Sequence, residues 1–140
     1  MPLTPGREFA SPEDRPLLSV ENLNVDFHVD GRSIPAVRGV SLRVRRGETC
    51  ALVGESSSGK SVTALSVLRL LPASARVSGR IVFEDRDMLS LPESGLREVR
   101  GGRVGMVFQE PMTSLNPLHP VGRQIAENVA LHYSDRKSVV

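Results

Sequence analysis

Gly54-Glu55-Ser56-Ser57-Ser58-Gly59-Lys60-Ser61 concentrates the chemistry of this chain. Glycines at both ends let the backbone curl, so that several N–H groups can point into one hollow. Such donors bind an anion, and the spacing G-x-x-x-x-G-K-[ST] asks for a phosphate chain. Lys60 would reach the β- and γ-phosphates, and the Ser61 hydroxyl would ligate Mg²⁺. Val62 continues the stretch into the next element and completes the candidate nucleotide-binding set, Gly54 to Val62. The bland alternative is a solvated, serine-rich turn, so the context on either side decides between the two.

Before the loop, Thr49-Cys50-Ala51-Leu52-Val53 is a short continuous apolar run. It predicts a strand covered on both faces, as in a parallel sheet, with Cys50 a small buried core residue. After the loop, Ala64, Leu65, Leu68 and Leu71 follow helical spacing, and Val62, Val67 and Leu70 widen the apolar face. The helix is predicted over Lys60 to Leu71, stopped by Pro72. A phosphate loop belongs between a buried strand and a helix start, because the positive end of the helix dipole then adds to the cradle.

The rest of the chain supplies the frame. Leu18, Val20, Leu23, Val25 and Phe27 predict a strand with a break near Asn22. Asp30-Gly31 is a turn signal, and the flanking strands make a hairpin. Val40 to Val44 alternates, so one face is buried and the other wet. Ile81-Val82-Phe83 and Val104 to Phe108 read as further strands. A short helix is predicted near Ser94–Arg100 and a longer one from Val121 to Leu131. Residues 1–16 carry four prolines and read as a flexible leader without the apolar core of a signal peptide.

Bulk properties exclude several classes. The chain has 140 residues, 39% apolar and 24% charged, a globular balance. Its net charge is +2 with 4% aromatics, and its arginines are scattered, which speaks against a nucleic-acid partner. No apolar stretch approaches the roughly 20 residues of a membrane span. His28, His119 and His132 lack metal-ligand spacing and read as surface or loop residues, while Met88, Met106 and Met112 read as packing residues.

Four pieces in order resemble the ATP-binding subunit of ABC transporters. They are Glu21 to Phe27, Ala36 to Leu42, the Gly54–Ser61 loop, and Val107-Phe108-Gln109-Glu110-Pro111-Met112-Thr113-Ser114-Leu115-Asn116-Pro117. The last is similar to the Q-loop of the oligopeptide, dipeptide and nickel importer branch. Leu118-His119-Pro120 with Val121 to Ile125 is similar to peptide importers related to microcin C uptake. The resemblance covers residues 17 to about 132. It implies an α/β fold of the P-loop NTPase class: the antiparallel β-subdomain of an ABC-type nucleotide-binding domain plus the start of its parallel-sheet core.

The resemblance also implies roles. Phe27 falls where the family keeps an aromatic that stacks on adenine. Val37 either packs against the same nucleoside or is a plain core valine. Gln109 would contact Mg²⁺ or the attacking water, its amide oxygen binding the cation without adding charge. The loop after Gln109 would meet membrane permease subunits, and a second ATP-binding subunit would complete a head-to-tail dimer. The cofactors implied are ATP and Mg²⁺. The place implied is the cytoplasmic face of the bacterial inner membrane, with peptides or related small solutes as cargo.

Two features depart from the family. Ser57 stands where glycine is usual, and a serine in left-handed geometry costs about 1 kcal/mol. The signature motif, Walker B strand and switch histidine are absent from these 140 residues. Residues 17–133 are therefore expected to be the first part of a nucleotide-binding domain. Residues 134–140 depart from the family's helix and read as a truncation scar or an out-of-frame read. Two further readings stand beside the importer ATPase: a catalytically dead nucleotide-binding fragment, and a soluble ABC ATPase with no membrane partner. On the fragment reading, nucleotide binding is weak and hydrolysis almost nil.

Overall fold

The computed structural model describes residues 15–108 and 115–133. Most of the expected leader, Gln109 to Ser114 and the tail from Ser134 lie outside the described residues. The chain divides into two units, Met1–Leu91 and Pro92–Val140.

The first unit is built on a four-stranded antiparallel sheet. Its strands are β1 (Leu18–Val29), β2 (Arg32–Val44), β3 (Ala75–Phe83) and β4 (Arg86–Asp87), in the order β2-β1-β3-β4. The expected hairpin joins β1 to β2. Asp30 and Gly31 both have positive φ, 49° and 74°, the twist that matches flanking strands. Cross-strand rows alternate between faces. Leu18, Val44 and Phe83 form one row, Ser19, Arg43 and Val82 the next on the other face, and Val20, Leu42 and Ile81 return to the first face. Val20, Leu23, Val25, Ile81 and Met88 are fully buried from this side. His28 is exposed, as read from the sequence.

The break in β1 is where it was expected. Asn22 has φ 48°, and the pairing register jumps between Val20 and Leu23. Neighbouring groups satisfy the backbone there. The Asn22 N–H donates to Ser41 Oγ (2.9 Å), Asn24 Nδ2 donates to the Asn22 carbonyl (2.8 Å), and Asn24 Oδ1 accepts from the Gly39 N–H (2.9 Å). Gly79 of β3 crosses this irregularity at φ 103°, and a Cβ there would collide with the carbonyl oxygens of Glu21 and Asn22. β3 extends to Ala75, well before the apolar Ile81-Val82-Phe83 that marks it in the sequence. Its first half is polar on both sides of this glycine, which hides it from an apolar pattern.

Helix α1 (Lys60–Val67) is shorter than its periodicity predicts. Arg69 takes φ 51°, Leu70 N donates to Leu65 O (3.0 Å) and Arg69 N to Ser66 O (3.1 Å). This is a Schellman ending with arginine in the left-handed position usually given to glycine. The helix is thus closed at Leu68, and Pro72 lies beyond it. Its buried residues are Thr63 and Ser66, whereas Ala64 is exposed. The hydroxyls bond back to Gly59 O (2.9 Å) and Val62 O (2.7 Å), which lets polar side chains occupy the inner face.

Two expected strands are not formed. Residues 49–53 have no regular structure, Val53 is 93% exposed, and Cys50 is exposed rather than buried. Val104 makes an isolated bridge to Arg100, and Val107 is 95% exposed. A parallel strand needs partners along its edges and layers over its faces. Among the described residues no strand pairs with either run.

The second unit contains α2 (Glu93–Val99) and α3 (Val121–Tyr133), both close to their expected places. Leu96 and Val99 are buried, and Arg100 Nη1 donates to Glu93 Oε1 at 3.0 Å. Gln124 clamps the turn before α3. It accepts from Asn116 N (3.0 Å) and donates to the carbonyls of Asn116 (3.0 Å) and His119 (2.9 Å). No helix among the described residues is long and apolar enough to cross a membrane.

The close approach at Gly79 gives a stability prediction. Gly79→Ala lowers the urea midpoint by the equivalent of about 2 kcal/mol or more, since both the contact and the positive φ oppose a side chain. Gly122→Ala, in a helix with open space around it, leaves the midpoint level or raises it. Urea unfolding of both variants checks this; a parental midpoint for Gly79→Ala contradicts the packing described.

Candidate phosphate-binding loop

The glycine loop connects residues 49–53 to α1. Its curl is set by two left-handed residues, Ser57 at φ 67° and Gly59 at φ 85°. The strain expected at Ser57 is therefore present: a serine holds a conformation that costs glycine nothing. Glycine is required at 59 for a second reason. A Cβ there would lie 2.6 Å from the Ala36 carbonyl oxygen and 3.3 Å from a Val37 methyl. At Gly54 a Cβ would lie 2.8 Å from Ser58 Oγ.

Gly59 is the N-cap of α1 and, having no side chain, leaves the helix start uncapped. The first N–H groups of a helix, here at Lys60, Ser61 and Val62, have no intrahelical acceptor. Such donors and the helix dipole favour an anion at this end. They border a hollow of about 280 Å³ lined by Ala36, Ser57, Ser58, Gly59, Lys60, Ser61 and Val62. Ser61 is exposed at its edge.

Lys60 folds back over the loop. Its Nζ donates to the carbonyl oxygens of Gly54 (2.8 Å) and Glu55 (2.5 Å) and to Ser58 Oγ (3.0 Å). The ammonium is thus held by acceptors from its own loop. The loop turns carbonyls toward the cation, and Ser58 N donates to Glu55 O at 3.3 Å to close the turn. This arrangement suits a group with several anionic oxygens. Glu55 and Ser56 are exposed, and the Glu55 carbonyl is the part of it engaged.

The hairpin carries two further candidates, of which Val37 meets the loop. Val37 is 5% exposed and packs beneath Gly59. It pairs with Val25 across the sheet, and Phe27 follows two residues along, on the same face and half-buried. Gln109 lies outside the described residues. Among the described residues no cluster of three His, Cys, Asp or Glu could hold a metal. A hydroxyl ligand such as Ser61 fits Mg²⁺, which takes few protein ligands and fills its shell with phosphate oxygens and water. Ala36 was given no role by sequence reasoning, yet it lines the hollow. The signal was Pro35 beside it, since proline within a strand marks an edge or a bulge.

The ABC transporter family matches residues 37–138. The chain is 58% identical over 120 residues to the peptidoglycan transport ATP-binding protein YejF of Agrobacterium fabrum, covering 84% of this chain and 22% of the relative. It is 49% identical over 125 residues to the probable peptide ABC transporter ATP-binding protein y4tR of Sinorhizobium fredii, covering 88% of this chain and 37% of that one. It is 52% identical over 127 residues to the glutathione import ATP-binding protein GsiA of Salmonella paratyphi A, covering 86% of this chain and 20% of the relative. The chain thus spans between a fifth and two fifths of the length of these relatives. A P-loop set on an antiparallel sheet, and a family match that runs across most of the chain, place it in the ABC transporter family.

Proposed function

We propose that this chain is the N-terminal part of an ATP-binding subunit that energises import of peptide-class solutes. The observation that carries the reading is the hollow at the start of α1, lined by the loop and by Lys60, whose ammonium is held by the loop's own acceptors. The relatives named for peptide, glutathione and peptidoglycan transport support the cargo class.

In this reading the triphosphate lies in the loop, with its oxygens on the N–H groups of Lys60, Ser61 and Val62. Lys60 exchanges its contacts with loop carbonyls for contacts with the β- and γ-phosphates. Ser61 donates its oxygen to Mg²⁺, whose role is to neutralise charge on the phosphates. Phe27 stacks on the adenine ring, and Val37 supports the loop from below. Gln109 ligates Mg²⁺ or orients the attacking water. The loop after it docks on permease subunits, and a second ATP-binding subunit faces the nucleotide. The site is then on the cytoplasmic face of the inner membrane.

Calorimetric titration tests the loop. Lys60→Ala weakens ATP binding by at least roughly tenfold, the value of a lost charge-assisted hydrogen bond, and leaves the unfolding midpoint near that of the parent. Equal ATP affinity in variant and parent would refute the assignment.

Ser57→Gly releases the backbone strain at φ 67°. It tightens ATP by up to about fivefold, or leaves it unchanged if the nucleotide-free loop is relieved equally. A clear weakening in the same titration would show that the hydroxyl, not the backbone, matters there.

Phe27→Ala separates base from phosphate. It weakens ATP by about fivefold, the worth of one stacking contact, and leaves inorganic tripolyphosphate unaffected. Equal losses for both ligands would place Phe27 in the support of the sheet rather than against the base.

A further inference from the structure

β2 carries one residue too many for its partner. Val25 pairs with Val37, but the next residue of β1, Asp26, pairs with Pro35. Ala36 is the extra residue of a β-bulge, and β2 is the edge strand of the sheet, where such a feature is tolerated. The bulge has a definite target. The Ala36 carbonyl oxygen lies 2.6 Å from where a Cβ of Gly59 would stand, and Val37 meets the same point at 3.3 Å. Ala36 also lines the phosphate hollow. Bulges re-aim the groups beside them, and this one turns backbone toward the glycine that caps α1.

We infer that the Ala36 bulge is a positioning device for the phosphate loop. Its carbonyl fixes where Gly59 sits, and it ties the strands that carry Phe27 and Val37 to the hollow at the start of α1. The inference rests on the phosphate-loop reading for its purpose, and on the Ala36–Gly59 contact for its existence. The bulge is not needed by the sheet itself. Deleting Ala36 would bring Asp26–Pro35 and Val25–Val37 into consecutive register, with Ile34 still opposite Phe27. Both core faces would be kept.

A double-mutant cycle on the full chain tests the contact, with thermal unfolding as its readout. Gly59→Ala in the parent lowers Tm by about 4 °C or more, through the carbonyl clash and the positive φ together. In the chain lacking Ala36, the clash is gone and the same substitution lowers Tm by less than half as much. Equal decrements in the two backgrounds overturn the inference. Amide NMR gives a second measurement that does not need the deletion to fold. In Gly59→Ala, the Ala36 and Val37 signals move; unmoved signals overturn the contact.

ATP titration then tests the purpose. Deleting Ala36 weakens ATP and inorganic tripolyphosphate alike, by at least roughly tenfold, while the unfolding midpoint is held or raised. Undiminished binding of both ligands rejects the positioning role. A parent chain that binds neither ligand removes the proposed function instead, and the Tm cycle still decides the contact.

Discussion

A phosphate loop must turn its N–H groups inward, and the rest of this unit follows from that demand. The chain meets it with left-handed backbone at Ser57 and Gly59. Turning N–H groups one way sends carbonyls the other way, and those of Gly54 and Glu55 are taken by Lys60. The lysine therefore does two jobs. It satisfies the carbonyls of Gly54 and Glu55, and it ties Ser58 Oγ to the same turn. A loop of this shape also approaches its support closely. Gly59 leaves no room for a side chain against Ala36, so both the sequence of the loop and the path of β2 are constrained together.

The sheet beneath is shaped by the same kind of close backbone approach. At Asn22 the first strand slips its register, and Gly79 of β3 passes against the carbonyls that the slip exposes. Asn24 and Ser41 supply the hydrogen bonds that the ladder loses there. On either side of the slip the inward residues stay inward: Val20 before it, Leu23 and Val25 after it, all at 1% exposure or less. Register in a half-buried sheet is enforced by that alternation. The fully buried core fixes the strands, and β2 carries Val37 against Gly59.

What was legible in the sequence was what is settled locally. The Asp30-Gly31 hairpin, the break at Asn22, the loop motif and the positions of α2 and α3 depend on nearby residues, and the structure has them where they were read. The runs at 49–53 and 104–108 carry the pattern of doubly covered strands, but a parallel strand is made by distant partners. No strand of the described sheet supplies them. The end of α1 was misplaced because Arg69 adopts a backbone conformation that its side chain disfavours. Apolar spacing continues past it to Leu71 and masks the stop. Pro35 marks an edge or a bulge in β2, but which residue is the extra one depends on the pairing with β1 and shows in neither strand alone.

The strained serine raises the question of which effect prevails at the site. Left-handed geometry at Ser57 costs about 1 kcal/mol, and it does so with or without nucleotide. It therefore lowers the stability of the loop before it lowers affinity. Affinity suffers to the extent that the nucleotide-free loop escapes the strain by relaxing. Here Lys60 opposes escape, because its three hydrogen bonds hold Gly54, Glu55 and Ser58 around the turn in the absence of any phosphate. Each charge-assisted bond of that kind contributes about 1.5–3 kcal/mol when desolvated and less at an exposed site such as this one. Even discounted, three of them are comparable to the strain or exceed it. The loop is thus held in its turn by its own lysine, and that shape survives a serine where glycine would be easier.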